Sequence, residues 1–303
     1  MQMSLTLAQQ VLVMFLLSGI GYLMFRSGKI TLEGNRSIGN ILIYLSLPAV
    51  IIQGLMVDRT PQTDVALAVS ALVGVGCVVL AALVARLTLG RDAIANFAAT
   101  FSNPSFFGIP LVVSILGQSP VFYMTGFIAA MNVGQWTYGV SLLTGKPQRL
   151  GPGELLRSPF IIAVLVGLAL YLTQPQLPGV VTSSLSFVAA LNTPLAMFTI
   201  GVYLAHVDLR QMLRSLALYR VAAVRLLVIP LVTLALLSLL PAGYQDMRLA
   251  ILVAQACPVG SNVAVYAQLH DCDFAYAVQT IVVSVLLSVV SIPLVVLVAQ
   301  LAW

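Results

Sequence analysis

Apolar residues in this chain form long continuous runs separated by short polar connections, and they do not alternate with polar residues. A helix that crosses a bilayer needs about 20 predominantly apolar residues. Ten runs, of which the sixth is the shortest, predict an all-α integral membrane protein with ten transmembrane helices. The predicted spans are Leu7–Met24, Ile38–Met56, Val65–Leu87, Ala93–Leu116, Val121–Leu143, Pro159–Leu172, Val180–Tyr203, Tyr219–Leu240, Met247–Gln268 and Tyr276–Ala302.

Two of these runs, the fourth and the ninth, are interrupted near their middle. The fourth carries Asn103-Pro104-Ser105-Phe106-Phe107-Gly108-Ile109-Pro110, and the ninth carries Cys257-Pro258-Val259-Gly260-Ser261-Asn262. Proline lacks an N–H and clashes with the carbonyl four residues earlier, so each helix must unwind locally. Unwound backbone at membrane depth persists only where it is buried in protein or lines a wet cavity. A matched pair of breaks therefore indicates the binding site of a secondary transporter.

The two halves of the chain carry corresponding motifs. Leu47-Pro48-Ala49-Val50 in the second span corresponds to Thr193-Pro194-Leu195-Ala196 in the seventh, and Pro110 corresponds to Pro258. An odd number of spans in each half gives the halves opposite orientations, which is the inverted repeat of many carriers. We therefore expect a first five-helix repeat over residues 1–143, a Gly- and Pro-rich linker over 144–158, and a second, inverted five-helix repeat over 159–303.

Charge is scarce and is kept out of the predicted spans. Charged residues make up 8% of the chain and mean hydropathy is +1.04, whereas a soluble domain has about 25% charged residues. No carboxylate is expected at the breaks, which argues against a sodium–proton type of antiporter. No Lys or Arg is expected there either, because the deepest, Arg225, lies only about two turns into the eighth span. The acidic residues, all at or near predicted loops, are Glu33, Asp58, Asp64, Asp92, Glu154, Asp208, Asp246, Asp271 and Asp273.

The basic residues predict the orientation of the chain. Twelve of the fourteen fall on one side of the predicted spans: Arg26, Lys29, Arg36, Arg86, Arg91, Lys146, Arg149, Arg157, Arg210, Arg214, Arg220 and Arg225. The opposite side has only Arg59 and Arg248. Because Lys and Arg in short loops stay cytoplasmic, we expect a multi-pass protein of the cytoplasmic membrane, with a cytoplasmic linker and both termini extracytoplasmic.

The breaks are the expected substrate site. About ten helical residues precede Asn103, or about 15 Å, which is half of the hydrocarbon core. Each second half-helix begins there with free N–H groups and about half a positive charge, a geometry that favours a carboxylate. Asn103 and Asn262 can bind such an anion or a coupling cation; alternatively, they only satisfy backbone groups freed by the break. The candidate substrate-binding residues are Asn103, Pro104, Ser105, Gly108, Pro110, Asn132, Gln255, Pro258, Gly260, Ser261 and Asn262.

Two of these candidates lie outside the break motifs themselves. Gln255 precedes Pro258 by three residues, and Asn132 shares a helical face with Gln135. For all three amides, hydrogen bonding between helices is the alternative role. A monoanion whose apolar body contacts Phe106, Phe107 or Tyr266 is the favoured substrate. The sequence offers no nucleophile–base pair, phosphate loop or metal-ligand cluster, so an enzyme, a cofactor and a metal site are not expected.

The motif Ser102-Asn103-Pro104-Ser105-Phe106-Phe107-Gly108-Ile109-Pro110-Leu111 resembles the helix-four crossover of the auxin efflux carrier family. Pro258-Val259-Gly260-Ser261-Asn262 is similar to the helix-nine pattern of its bacterial members, and the resemblance covers essentially the whole chain. It implies a fold like that of the bile, arsenite and riboflavin transporter superfamily. It also implies a scaffold of helices 1, 2, 6 and 7, and a transport domain of helices 3–5 and 8–10 that moves against it as an elevator.

The function expected from these observations is secondary transport of a small organic anion, auxin-like or another carboxylate, bound where helices four and nine cross. The alternative is a sodium-coupled uptake permease for a malate- or malonate-like carboxylate. The expected partners are this anion, the lipid bilayer, sodium or a proton as candidate coupling ion, and a second copy in a candidate homodimer. No nucleic-acid partner is expected.

Overall fold

A computed structural model of the chain describes residues 2–148, 153, 158–207, 212 and 214–303. Within these residues, β pairing is limited to one antiparallel bridge between Ser102 and Val259. The all-helical prediction is therefore confirmed. Residues 149–152 and 154–157 of the predicted linker lie outside the described residues.

The helices of the first half reproduce its apolar runs. In chain order they are α1 (Gln2–Arg26), α2 (Leu32–Ile41), α3 (Leu47–Leu55), α4 (Pro61–Leu89), α5 (Ala93–Thr100), α6 (Ile109–Leu116), α7 (Val121–Gly134) and α8 (Val140–Thr144). Three π-helical turns, in which the backbone is wound more loosely, continue α2 into α3, lead into α6, and continue α7 into α8. They are Leu42–Ser46, Pro104–Gly108 and Gln135–Gly139.

The second half is built in the same manner. Its helices are α9 (Pro159–Thr173), α10 (Gly179–Ala190), α11 (Asn192–His206), α12 (Leu216–Ala223), α13 (Ile229–Leu237), α14 (Gln245–Ala256), α15 (Asn262–Leu269) and α16 (Phe274–Ala302). A π-helical turn at Val224–Val228 joins α12 to α13, and a short 3₁₀ turn at Ala242–Tyr244 precedes α14.

Six helices in the described residues are long and apolar enough to cross a membrane. They are Met3–Arg26, Leu32–Leu55, Pro61–Leu89, Gly179–His206, Leu216–Leu237 and Phe274–Ala302. Leu72, Leu83 and Leu87 of α4 are exposed by 74, 56 and 84%. Such large exposed apolar side chains fit a surface that faces lipid. The chain is therefore a multi-pass membrane protein, and four of the ten predicted spans correspond to broken or shorter helical segments.

Proline explains three of the four π-helical turns. Pro48, Pro110 and Pro230 each stand at the start of the α-helix that follows such a turn. Because the proline ring has no N–H and would clash with the carbonyl four residues earlier, the preceding turn widens. A wider turn rotates the side chains that follow it relative to those before it. Two of these turns are Pro104–Gly108, in the interrupted fourth span, and Val224–Val228, which contains Arg225.

Reciprocal glycines allow two pairs of helices to pack at close range. A Cβ on Gly201 of α11 would clash with the carbonyl oxygen of Ser18 in α1, and a Cβ on Gly21 of α1 would lie 2.5 Å from the carbonyl oxygen of Phe198. In the same way Gly74 of α4 and Gly126 of α7 face each other's helix backbone. Small residues at helix crossings are how membrane helices maximise packing contact, so these pairs fix α1 on α11 and α4 on α7.

Candidate functional site

The two helix breaks cross and hydrogen-bond to each other. The first break comprises residues 101–108, which include the π-helical turn that leads into α6. The second comprises residues 257–261, between α14 and α15. The N–H of Asn103 donates to the carbonyl of Pro258 at 2.9 Å, and the N–H of Gly260 donates to the carbonyl of Phe101 at 2.9 Å. Each break thus satisfies backbone groups that the other would leave unpaired.

Neighbouring side chains hold the crossing in place. The hydroxyl of Ser102 donates to the carbonyl of Ala254 at 2.9 Å. The N–H of Val259 donates to the hydroxyl oxygen of Ser284 in α16 at 3.0 Å. A Cβ on Gly260 would lie 2.8 Å from the carbonyl oxygen of Ser102, so only glycine permits this approach of the two chains.

Of the two roles that the sequence left open for Asn103, the structure shows the one that serves the backbone. Its Oδ1 accepts from the N–H of Phe106 at 3.3 Å and so caps the second half-helix. The residue is 5% exposed, and its Nδ2 has no hydrogen-bond partner within the described residues. A buried donor without a partner is unfavourable. The oxygen therefore serves the backbone, while the nitrogen is a buried donor that no other described residue satisfies.

Asn262 reaches a partner on another helix. Its Nδ2 donates to the Oε1 of Gln135 at 2.7 Å, and Gln135 is 4% exposed in the π-helical turn that follows α7. The amide nitrogen of Asn132 instead donates to the carbonyl of Ile128 in its own helix at 2.8 Å. Of the two amides on this helical face, Gln135 is the one that the structure joins to the second break. Sequence spacing alone could not choose between them.

The remaining residues of the first break are packed against both halves of the chain. Pro104, Ser105 and Gly108 are buried, and Pro110 is half-buried. The carbonyl of Ser105 accepts from the Nδ2 of Asn192 at 2.9 Å, which connects the start of α11 to the first break. A Cβ on Gly108 would lie 3.2 Å from the sulfur of Cys257, so these residues bring the two broken helices together.

In the second break, Pro258 and Gly260 supply backbone to the crossing, and Ser261 is half-buried. Gln255 is fully buried one turn earlier. Its Nε2 donates to the carbonyl of Cys77 at 3.4 Å, while its Oε1 has no partner in the described part of the chain. Thr100 and Asn192 each also carry a buried oxygen without a partner among those residues. The crossing is therefore surrounded by unused polar atoms of both donor and acceptor type.

The expectation that no cation lies at the breaks is wrong. Arg225 is fully buried. Its Nη1 donates to the carbonyls of Ala99 at 2.8 Å and Thr100 at 3.0 Å, and its Nη2 donates to the carbonyl of Gln255. The first half-helices are short, so a long side chain from the neighbouring helix reaches their last carbonyls. Depth within a predicted span could not reveal this contact.

Basic residues also line a surface cleft near the start of α5. It has a volume of about 730 Å³ and includes Arg86, Arg91, Tyr138 and Lys146 in its lining. The eight residues of α5, or about 12 Å of helix, separate the cleft from the first break. Clefts of one sign of charge raise the local concentration of oppositely charged solutes, so this cleft would attract anions to the basic side of the protein.

Comparison with known proteins identifies relatives along nearly the whole chain. A family described as membrane transport protein matches residues 6–296, which confirms the resemblance drawn from the crossover motifs. A protein of Rhizobium meliloti named "Putative malonate transporter" is 27% identical over 302 residues, covering 93% of this chain and 92% of its own. An "Uncharacterized transporter" of Methanothermobacter thermautotrophicus is 26% identical over 299 residues, covering 94% and 96%.

Proposed function

The chain belongs to the membrane transport protein family, and from this premise we propose that it is a secondary transporter of a small carboxylate, which binds where the two helix breaks cross. The observation that carries the proposal is the hydrogen-bonded crossing itself, with the free amide nitrogen of Asn103 beside it. Both second half-helices begin at this point. The positive ends of their helix dipoles are suited to a carboxylate.

The inverted repeat is part of the proposal. We assign α1 to α3 and α9 to α11 to the scaffold, and α4 to α8 and α12 to α16 to the transport domain that moves against it as an elevator. The close packing of α1 on α11 and of α4 on α7 supports this division, because each pair lies within one assigned domain. The hydrogen bond from Asn192 to Ser105 connects the two domains at the substrate site. An elevator movement would have to break that bond.

The substrate class follows from the charge at the crossing. The two half-helix N-termini at the crossing suit an anion better than a neutral solute or a cation. The name of the Rhizobium meliloti relative favours malonate, a dicarboxylate, as the first compound to test. Half-buried Phe106 lies next to the capped backbone, so a monocarboxylate with an apolar body is the second candidate.

Export of a monoanion needs no coupling ion. A single negative charge that leaves an inside-negative cell gains about 2.3 kcal/mol per 100 mV, enough for a concentration ratio of about fortyfold. Uptake would need a cation such as sodium, and this is the alternative mode. We propose that the basic cleft lies on the cytoplasmic side, that both termini lie outside, and that the protein exports its substrate from the cell.

The deciding experiment measures binding and transport with a panel of carboxylates. Purified protein would be titrated with malonate, malate and indole acetate, with and without sodium. Proteoliposomes would then report uptake while the potential, the pH gradient and the sodium gradient are varied one at a time. We expect carboxylate binding, and transport that follows the potential. Transport that follows only the pH gradient would contradict both modes, and a failure to bind any carboxylate would refute the substrate class.

A further inference from the structure

Arg225 has no partner of the kind that a buried cation usually has. Within the described residues the ion pair of the structure is Arg59 with Asp64, both on the surface, and no carboxylate contacts Arg225. A guanidinium has five N–H donors and keeps its charge in proteins. Burying that charge is unfavourable unless it is compensated. The compensation must come from the three carbonyls to which Arg225 donates.

Those carbonyls share one property, which is their position at the ends of helices. Ala99 and Thr100 are the last two residues of α5, and Gln255 is the last but one of α14. The last four carbonyls of an α-helix have no partner within the helix, and its C-terminus carries about half a negative charge. Two such ends carry about one negative charge together, which the guanidinium neutralises.

We propose that Arg225 is the positioning residue of the crossing: its guanidinium neutralises the C-terminal ends of both first half-helices and holds them together. The positive ends of the second half-helices then remain uncompensated for the substrate carboxylate. This inference rests on the proposed function for the identity of the anion. The role of Arg225 in holding the two half-helices together does not depend on which anion is bound.

The local sequence explains how the side chain reaches both helices. Arg225 stands in the π-helical turn Val224–Val228, which Pro230 enforces from the start of α13. Arg220, five residues earlier in α12, is exposed. The two arginines belong to one continuous helical segment, so Arg220 is a matched control for the loss of a positive charge.

The test is chemical rescue of Arg225→Ala. We expect the variant to melt at a lower temperature without substrate and to bind malonate at least about tenfold more weakly than the wild type. Guanidinium chloride at low millimolar concentration should restore both properties in large part. Urea at the same concentration has a similar shape and no charge, and should restore neither. Arg220→Ala should match the wild type with or without either compound.

Each outcome decides the role of Arg225. Equal rescue by urea would overturn the proposal, because it would mean that the side chain only fills space. Unchanged melting and binding in Arg225→Ala would overturn it as well. If the alanine variant does not fold, Arg225→Lys takes its place. We expect this variant to bind malonate more weakly than the wild type, because one ammonium group cannot reproduce the planar fork of a guanidinium. Binding at wild-type strength would contradict the proposal. If the wild type binds no carboxylate, the proposed substrate is wrong, and rescue of the melting temperature still decides the role of Arg225.

Discussion

The two breaks correspond in sequence but differ in what holds them. In the first, Asn103 caps the following half-helix with its oxygen, and its nitrogen has no partner in the part of the chain that the structure describes. In the second, the nitrogen of Asn262 is already bound by Gln135. The first break also accepts a hydrogen bond from Asn192 of α11, whereas the second donates one, from the N–H of Val259, to the hydroxyl oxygen of Ser284 in α16.

This difference separates two tasks within one crossing. An amide without a partner gains a full hydrogen bond when a ligand arrives, whereas an amide that is already paired must exchange one partner for another. The ligand should therefore depend more on Asn103 than on Asn262. The contacts beyond the breaks differ too, because Asn192 lies in the proposed scaffold and Ser284 in the proposed transport domain. Movement between the domains should therefore change the hydrogen bonds of the first break and leave those of the second unchanged.

Asn103→Ala should have the largest effect on binding. Losing a hydrogen bond to a charged ligand weakens binding by about 1.5–3 kcal/mol, which is roughly ten- to a hundredfold in affinity. Titration calorimetry with malonate, alongside thermal melting, would separate binding from stability. Exposed Asn40 in α2 offers the control Asn40→Ala. If Asn103→Ala bound malonate normally, the amide would serve only the backbone.

Gly260→Ala tests how closely the second break is packed. The added Cβ would meet a backbone oxygen at 2.8 Å, and overpacking of this kind typically lowers the free energy of unfolding by about 1–3 kcal/mol. Gly108→Ala is the comparison from the first broken helix, because a Cβ added there would first meet the side-chain ends of Met124 and Cys257, at 3.1 and 3.2 Å. Thermal melting should show a larger loss for Gly260→Ala. Equal losses would mean that the two breaks are equally tight.

The sequence predicted the two breaks correctly because proline and glycine determine backbone geometry locally, and the family resemblance implied that the breaks cross. It could not identify Gln135 or Arg225. Asn132 and Gln135 are three residues apart on one helical face, and only the packing of α7 against its neighbours, with the π-helical turn after it, decides which amide reaches Asn262. Its distance from the end of the eighth span predicts that Arg225 lies away from the breaks. Its contacts depend instead on where the short half-helices end, because its side chain bonds to their last carbonyls. Both residues depend on contacts between distant segments, which the order of residues in one segment does not contain.

Replacing Gln135 or Asn262 should have a smaller effect than replacing Asn103. The bond between the two side chains is neutral, and such a bond contributes about 0.5–1.5 kcal/mol. Gln135→Ala and Asn262→Ala should each weaken malonate binding by up to about tenfold. The double variant should be little worse than either, because both changes remove the same interaction. Fully additive losses in calorimetry would show that the two amides act on the ligand independently.

Asn192→Ala should have the smallest effect on binding and should act on transport instead. The lost bond to Ser105 joins the proposed scaffold to the first break, so its removal shifts the equilibrium between carrier conformations by about the strength of one hydrogen bond. A shift of this size changes the ratio of the two conformations severalfold. The affinity for the substrate changes only if the two conformations bind it with different strength. We expect a severalfold change in the transport rate of proteoliposomes with nearly unchanged affinity.

Ser284→Ala is the control. It removes the hydroxyl at the second break, a contact that lies within the proposed transport domain, and it should not alter the rate in this way. If both variants changed the rate equally, the first break would have no special connection to the scaffold, and the proposed division between the domains would have to be redrawn.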